Sequence, residues 1–362
     1  MLYRYAFLLF TGLLHTSYAQ VDDLSRFFNS DVELSNKVDS IYDQLTDAER
    51  IGQLIMPAVG RHGKPRGKIE QLAKNKQIGG ILLLNGERNE FKSWVERFDS
   101  IGQESGGLPF LYSADAEPSL IRYKIKNCNP VPNADKHQST DEVKNTALSI
   151  SRDLNFIGIN YNFAPVIDQG NENSAITNRS FGHNKDSIWA WSNTFIEASQ
   201  KMGVIATAKH FPGHGLVVGD THDELVFIDG ILMEVDNYIP VIQGGVLSIM
   251  VGHIAVKNNP KYGTFGMPAT CSKKIVTDLL KNELGFKGLV VTDAMNMGGV
   301  RAIPNSGVKA IEAGCDILLM PVDEVKEITA IHDRLLLDDA FRSRVENAVK
   351  KIIRVKICLG LL

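Results

Sequence analysis

The chain has 362 residues, 44% of them hydrophobic and 22% charged, with a formal net charge of -3 at pH 7. That composition excludes a disordered chain, and without a basic excess or a Lys/Arg run it argues against nucleic acid as a partner. The length admits one large α/β barrel or two ordinary domains.

Residues 1–19 differ from everything after them. Arg4 supplies a positive n-region, Ala6 to Leu14 an apolar run too short to span a bilayer, and Ser17-Tyr18-Ala19 a small-x-small cleavage site. The reading is a secretory signal peptide ending near Ala19, with residues 20–362 exported as a periplasmic or secreted protein. No cysteine follows the apolar run, which argues against lipid attachment, and no later stretch reads as a transmembrane helix. Cys128, Cys271, Cys315 and Cys358 lie far apart, with neither disulfide-scaffold nor CxxC spacing. Cys315 and Cys358 sit in apolar contexts and are expected in the core, although an oxidising compartment would permit one disulfide.

Apolar runs then alternate with helical patterns. The runs are QLIMPAV (53–59), IGGILLL (78–84), PFLYS (109–113), INYNFAPVI (159–167), GVIATA (203–208), LSIMVGHIAV (247–256), GLVVT (288–292) and CDILLM (315–320). Between them, Thr46-Asp47-Ala48-Glu49 is a capping-box pattern. Ser272 precedes the helix-period segment KKIVTDLLKNELG, which Gly285 stops, and GVKAIEAG stops at Gly314. Eight strand-helix units predict a single-domain α/β fold, a (β/α)8 TIM-type barrel. A doubly wound sheet is the alternative, but the first strand-helix turn lacks GxGxxG. In a barrel the chemistry lies after the strand ends. The residues so placed are Asp115 and Glu117, Asp168, Lys209 to His222, His253 and Asp293.

The stretch KHFPGHGLVVGDTH (209–222) is the densest of these segments. His210 and His214 have the spacing of a helical zinc pair, but Pro212-Gly213 opposes a continuous helix and no HExxH glutamate is present, so no metal is expected. Asp220 and His222 can form a pair in which the carboxylate holds the imidazole in one tautomer for proton transfer, or can simply belong to a solvated loop. Asp293, at the end of a buried run, can be a nucleophile or the cap of the next helix. Nucleophile and proton donor together make the machinery of retaining glycoside hydrolysis, with a histidine where a second carboxylic acid is usual.

KHFPGHGLVVGDTH, NFAPVIDQGNEN, NRSFG (178–182) and PATCSKKIVTDLLKNELGFKGLVVTDAMNMGGV resemble glycoside hydrolase family 3, in particular its single-domain β-N-acetylglucosaminidases. The likeness runs from LTDAERIGQLIMPAV to RVKICLGLL. It implies Asp293 as nucleophile, His222 as acid/base and Asp220 as its partner, with Asp115, Arg179, Lys209 and His210 around the sugar. Family members with a sandwich domain usually take a glutamate acid/base from it. This chain's last segment is the barrel's final helix, so the D-x-H loop is the expected donor. The implied substrate is cell-wall (peptidoglycan-type) or chitin-type material with terminal β-linked N-acetylglucosamine; no cofactor and a monomer are expected. Phosphorolysis or β-glucosidase-type activity at the same site are alternatives, as is a sugar-binding barrel without catalysis. The third-strand loop departs from the family pattern. In ADAEPSLIRY, Pro118-Ser119 replace a small or aromatic pair, and Arg122, the expected sugar contact, falls one position early, with Tyr123 in its place.

Overall fold

Each of the eight apolar runs supplies a strand, and every strand pairing is parallel. The computed structural model describes residues 24–170 and 173–362, so the expected signal peptide lies outside the described residues. Pro57, which has no N–H to donate, divides the first strand into Ile55–Met56 and Ala58–Val59. The second to fourth strands are Gly80–Leu83, Leu111–Ala114 and Tyr161–Asn162. Ile205–Phe211, Ser248–Val251, Leu289–Thr292 and Leu318–Leu319 are the fifth to eighth.

Seven strands form one sheet in order around the ring, from the seventh back to Ala58–Val59. The ring closes where Ile55–Met56 pairs with Leu318–Leu319 and where Val291 bridges Ile317. This is the expected (β/α)8 barrel.

The helices between strands bury one face each. Thr140–Ile157 is capped by the Ser139 side chain and buries Val143, Ala147, Ile150, Leu154 and Ile157, the spacing that keeps one stripe on the barrel. Thr46 and Glu49 form the expected capping box at the start of Asp47–Gln53. Lys274–Glu283 departs from expectation. It winds as a π-helix, and Ser272 contributes its carbonyl, which accepts from the Ile275 and Val276 N–H groups, instead of a capping hydroxyl. Gly285 and Gly314 end their segments at φ +71° and +120°, which other residues rarely adopt. Cys315 and Cys358 are core residues, and no disulfide joins the four cysteines among the described residues. No described helix is long and apolar enough to cross a membrane.

The fifth and sixth runs differ from expectation in a way that matters for the site. The fifth strand continues through Lys209 and His210 to Phe211, because Phe211 pairs with Val251 on the sixth strand and Val166 bridges Lys209. Both residues are therefore strand residues and not loop residues. The sixth run breaks after Val251, and Ile254–Lys257 leaves the barrel to pair with Val226–Asp229.

Lys356, in the final helix Asp339–Cys358, is wholly buried, and its Nζ donates to Gln53 Oε1 at 2.6 Å. Burial pushes this amine down to about 7, from 10.5 when solvated. A lowered lysine binds its proton more tightly in the unfolded chain, so stability rises with pH between those two values. For one proton the slope is at most about 1.4 kcal/mol per pH unit. Lys356→Met is expected to flatten this rise, measured by denaturant titration at pH 7, 8.5 and 10; a slope equal to the wild type's would refute the assignment.

Candidate active site

Five charged side chains at the ends of the third, fourth and fifth strands interlock. Lys209 Nζ, on the fifth strand, lies 2.5 Å from Asp115 Oδ1 and 2.5 Å from Glu117 Oε1. Arg179 grips Glu117 with two parallel bonds of 2.8 Å, from Nε and Nη2. Lys124 Nζ stands 3.8 Å from the second oxygen of Asp115. Burial pushes the carboxyls of Asp115 and Glu117 up, but Lys209 with Lys124 at the first, and Arg179 with Lys209 at the second, outweigh it and hold both below the usual range. Burial likewise pulls Lys209 down, and Asp115 and Glu117 raise it further, so it stays cationic.

The unusual third-strand loop has a visible consequence. Ser119 is buried; its hydroxyl donates to the Asn178 carbonyl at 2.5 Å and accepts from the Ala134 N–H at 2.9 Å. It thus pins the segment next to Arg179. The turn Ile121–Lys124 then points Arg122 away: its guanidinium lies over the Tyr123 ring at 4.8 Å and it does not line the cavity. The expected Arg122 contact is therefore not formed by this geometry, and Lys124, which sequence reasoning passed over, stands on the wall instead.

A second set of bonds fixes the fifth strand and the following loop. Asp168 accepts from the His210 N–H, from His210 Nδ1 at 2.7 Å and from the His214 N–H at 2.9 Å. The first of the two ring nitrogens being taken, His210 keeps Nε2 for a ligand. Glu234 gathers the N–H groups of Gln169, Gly215 and Leu216, while burial and the like charge of Asp168 push its carboxyl up to about 8. Both ring nitrogens of His214 have protein partners: the Asn173 amide nitrogen faces its Nδ1 at 2.9 Å, which leaves Nε2–H to donate to Thr221 Oγ1 at 3.1 Å. Among the described residues no group of three or more His, Cys, Asp or Glu side chains is placed to hold a metal ion.

Thr221 leads directly to the D-x-H pair. Asp220 Oδ1 accepts from His222 Nδ1 at 2.6 Å and from the His222 N–H at 2.9 Å. The carboxylate therefore holds Nδ1–H and directs Nε2 outward. Both side chains are exposed, 42% and 65% respectively. Asp293 follows the seventh strand, and one oxygen accepts from the Ala294 N–H at 2.8 Å. The other oxygen, Oδ2, has no hydrogen bond or ion pair among the described residues. Burial pushes this carboxyl up, but His210, His253 and the Ala294 N–H outweigh it, leaving it below its usual value and ionised at neutral pH.

Asp115, Lys124, Arg179, Lys209, His210, Asp220, His222 and Asp293 all line one cavity of about 270 Å³ at the C-terminal end of the barrel. Phe163, Met250, Leu319 and Met320 make its apolar floor and wall. Residues 46–355 match the model of the glycosyl hydrolase family 3 N-terminal domain. The chain belongs to glycosyl hydrolase family 3. Among family relatives, the β-N-acetylglucosaminidase/β-glucosidase of Cellulomonas fimi is 32% identical over 88% of this chain. This chain spans 58% of that protein's length. A β-hexosaminidase of Actinobacillus pleuropneumoniae serotype 5b is 34% identical over 69% of this chain and 76% of its own. The structure of a family 3 β-N-acetylglucosaminidase from Paenibacillus superposes with a TM-score of 0.78 at 26% identity, covering 88% of this chain and 63% of that one.

Proposed function

We propose that this family 3 chain is an exported retaining β-N-acetylglucosaminidase that removes terminal β-linked N-acetylglucosamine from cell-wall (peptidoglycan-type) or chitin-type oligosaccharides. The observation that carries the reading is the unbonded oxygen of ionised Asp293 in the same cavity as the Asp220–His222 pair. Asp293 attacks the anomeric carbon while His222 Nε2–H gives its proton to the departing oxygen, and the bond to the aglycone breaks. Asp220 holds the ring by Nδ1–H through that transfer. Neutral His222 then takes a proton from water as it attacks the glycosyl-enzyme, restoring both residues. Lys209, His210, Asp115, Arg179 and Lys124 surround the sugar; the relatives' names supply the acetamido sugar, and MLYRYAFLLFTGLLHTSYAQ supplies the export.

The test is a screen of aryl β-N-acetylglucosaminide, β-glucoside and β-xyloside with the mature protein. N-acetylglucosaminide is expected to be cleaved fastest; a faster glucoside would overturn the substrate. Running it with and without phosphate, with sugar 1-phosphate assayed, separates hydrolysis from phosphorolysis. Amino-terminal sequencing of the secreted or periplasmic protein checks cleavage after Ala19.

The same assay separates the two cations of the third-strand loop. Loss of a charge-assisted bond costs about 1.5–3 kcal/mol, so Lys124→Ala is expected to raise KM roughly tenfold or more. Arg122→Ala should stay within about twofold of wild type, as its side chain faces away from the cavity. Equal effects would mean the loop rearranges around substrate.

A further inference from the structure

The Asp220 and His222 side chains hydrogen-bond only within their own pair among the described residues. The imidazole's position is therefore set by the backbone that carries it, and that backbone has two anchors. On one side are Asn173, whose amide faces the carbonyls of Val217 and Gly219, and the His214–Thr221 bond. On the other, the Gly298 N–H donates to the His222 carbonyl at 2.9 Å and the Gly299 N–H to the Thr221 carbonyl at 3.2 Å.

The second anchor is made of glycine for reasons of space. Gly298 does not have a positive φ, so any residue could adopt its backbone. A Cβ there, however, would overlap the carbonyl group of Asp223 and stand 2.9 Å from the His222 carbonyl oxygen. These are backbone atoms and cannot rotate aside. The geometry points to Gly298 as the positioning residue of the acid/base loop, an inference that rests on the roles assigned above to His222 and Asp293. Gly298 lies five residues beyond Asp293 on the same turn, which Asp293 and Met295 tie to the barrel through Val251 and Leu319. A backbone-to-backbone contact thus sets the gap between the attacking carboxylate and the proton donor, into which the glycosidic oxygen must fit. A side chain at 298 widens that gap without touching either group.

Gly298→Ala is to be assayed on aryl glycosides of graded leaving-group acidity beside the wild type and Gly67→Ala, a helical glycine with open space around it. Displacement of a catalytic group by an ångström can cost roughly a hundredfold. The expected loss is therefore about 10- to 100-fold on poor leaving groups, with activated ones within about threefold, a steeper dependence resembling that of His222→Ala. A uniform loss, or a dependence equal to the wild type's, overturns the proposal. If another glycoside is the better substrate, the acetamido-sugar reading fails and the comparison is made on the series that is cleaved. Amide hydrogen exchange over 219–224 needs no activity: faster exchange in Gly298→Ala is expected, and unchanged protection overturns the anchor. Should Gly298→Ala fail to fold, Gly299→Ala applies the milder form, its Cβ standing 3.0 Å from His253 Cβ and 3.3 Å from the Glu224 carbonyl oxygen. A smaller steepening is expected there, and none would overturn the proposal.

Discussion

Asp293→Ala is expected to abolish turnover of an aryl β-N-acetylglucosaminide, by roughly four orders of magnitude or more, which corresponds to about 5.4 kcal/mol of transition-state stabilisation. The size follows from what the other carboxylates are doing. Asp115 and Glu117 are held by Lys209 and Arg179, and Asp168 by two backbone N–H groups and the His210 ring. None of these three keeps a free, ionised oxygen as Asp293 does, and Asp220, the fourth, is committed to the His222 ring. Because that carboxyl lies below its usual range, it is deprotonated through neutral pH, and the acid limb of kcat/KM that Asp293 sets should lie below the ordinary carboxylate region near 4. Kinetics across a pH series and mass spectrometry of a glycosyl-enzyme trapped with a 5-fluoro N-acetylglucosaminyl fluoride, which keeps the 2-acetamido group, check both points. Turnover resembling wild type in the alanine variant, or label on another residue, would remove Asp293 from the mechanism.

His222→Ala is expected to separate substrates by leaving group. Proton donation contributes roughly 10²- to 10⁴-fold where the departing oxygen is basic, and little where it is not. Poor leaving groups should therefore lose that factor, while activated aryl glycosides still form the glycosyl-enzyme. Added azide, which needs no deprotonation, should then attack the anomeric carbon, release Asp293 and give the glycosyl azide. Asp220→Asn should produce a weaker version of the same pattern, since it removes only the carboxylate that holds Nδ1–H. Equal losses across leaving groups, with no azide product, would make the histidine a structural residue.

Barrel strands, the Thr46–Glu49 capping box and the stops at Gly285 and Gly314 were legible in the chain because each is a local event. A period of apolar residues, a reciprocal cap or a positive φ is decided within a few neighbours. The rule that chemistry follows the strand ends then selected Asp115, Asp168, the 209–222 stretch and Asp293, which the structure gathers at one end of the barrel.

What the chain alone could not disclose depends on partners far apart in sequence. Asp168 meets His210 42 residues away, Asn173 meets His214 across 41, and Glu234 meets Gln169 across 65. No spacing pattern marks such pairs, since closing a barrel brings them together only after every strand has taken its place. Nor could spacing show that Arg122 turns outward while Lys124 reaches Asp115, because Pro118 and buried Ser119 redirect that loop through a bond to Asn178. The sequence by itself determined the barrel, the family and the residue types able to perform the chemistry, all properties of local pattern. Tertiary structure alone decided which carboxylates are neutralised by cations, that Asp293 keeps an unbonded oxygen, and that a missing Cβ at Gly298 holds the His222 loop in place. Those are outcomes of packing and electrostatics between segments that the linear order keeps apart.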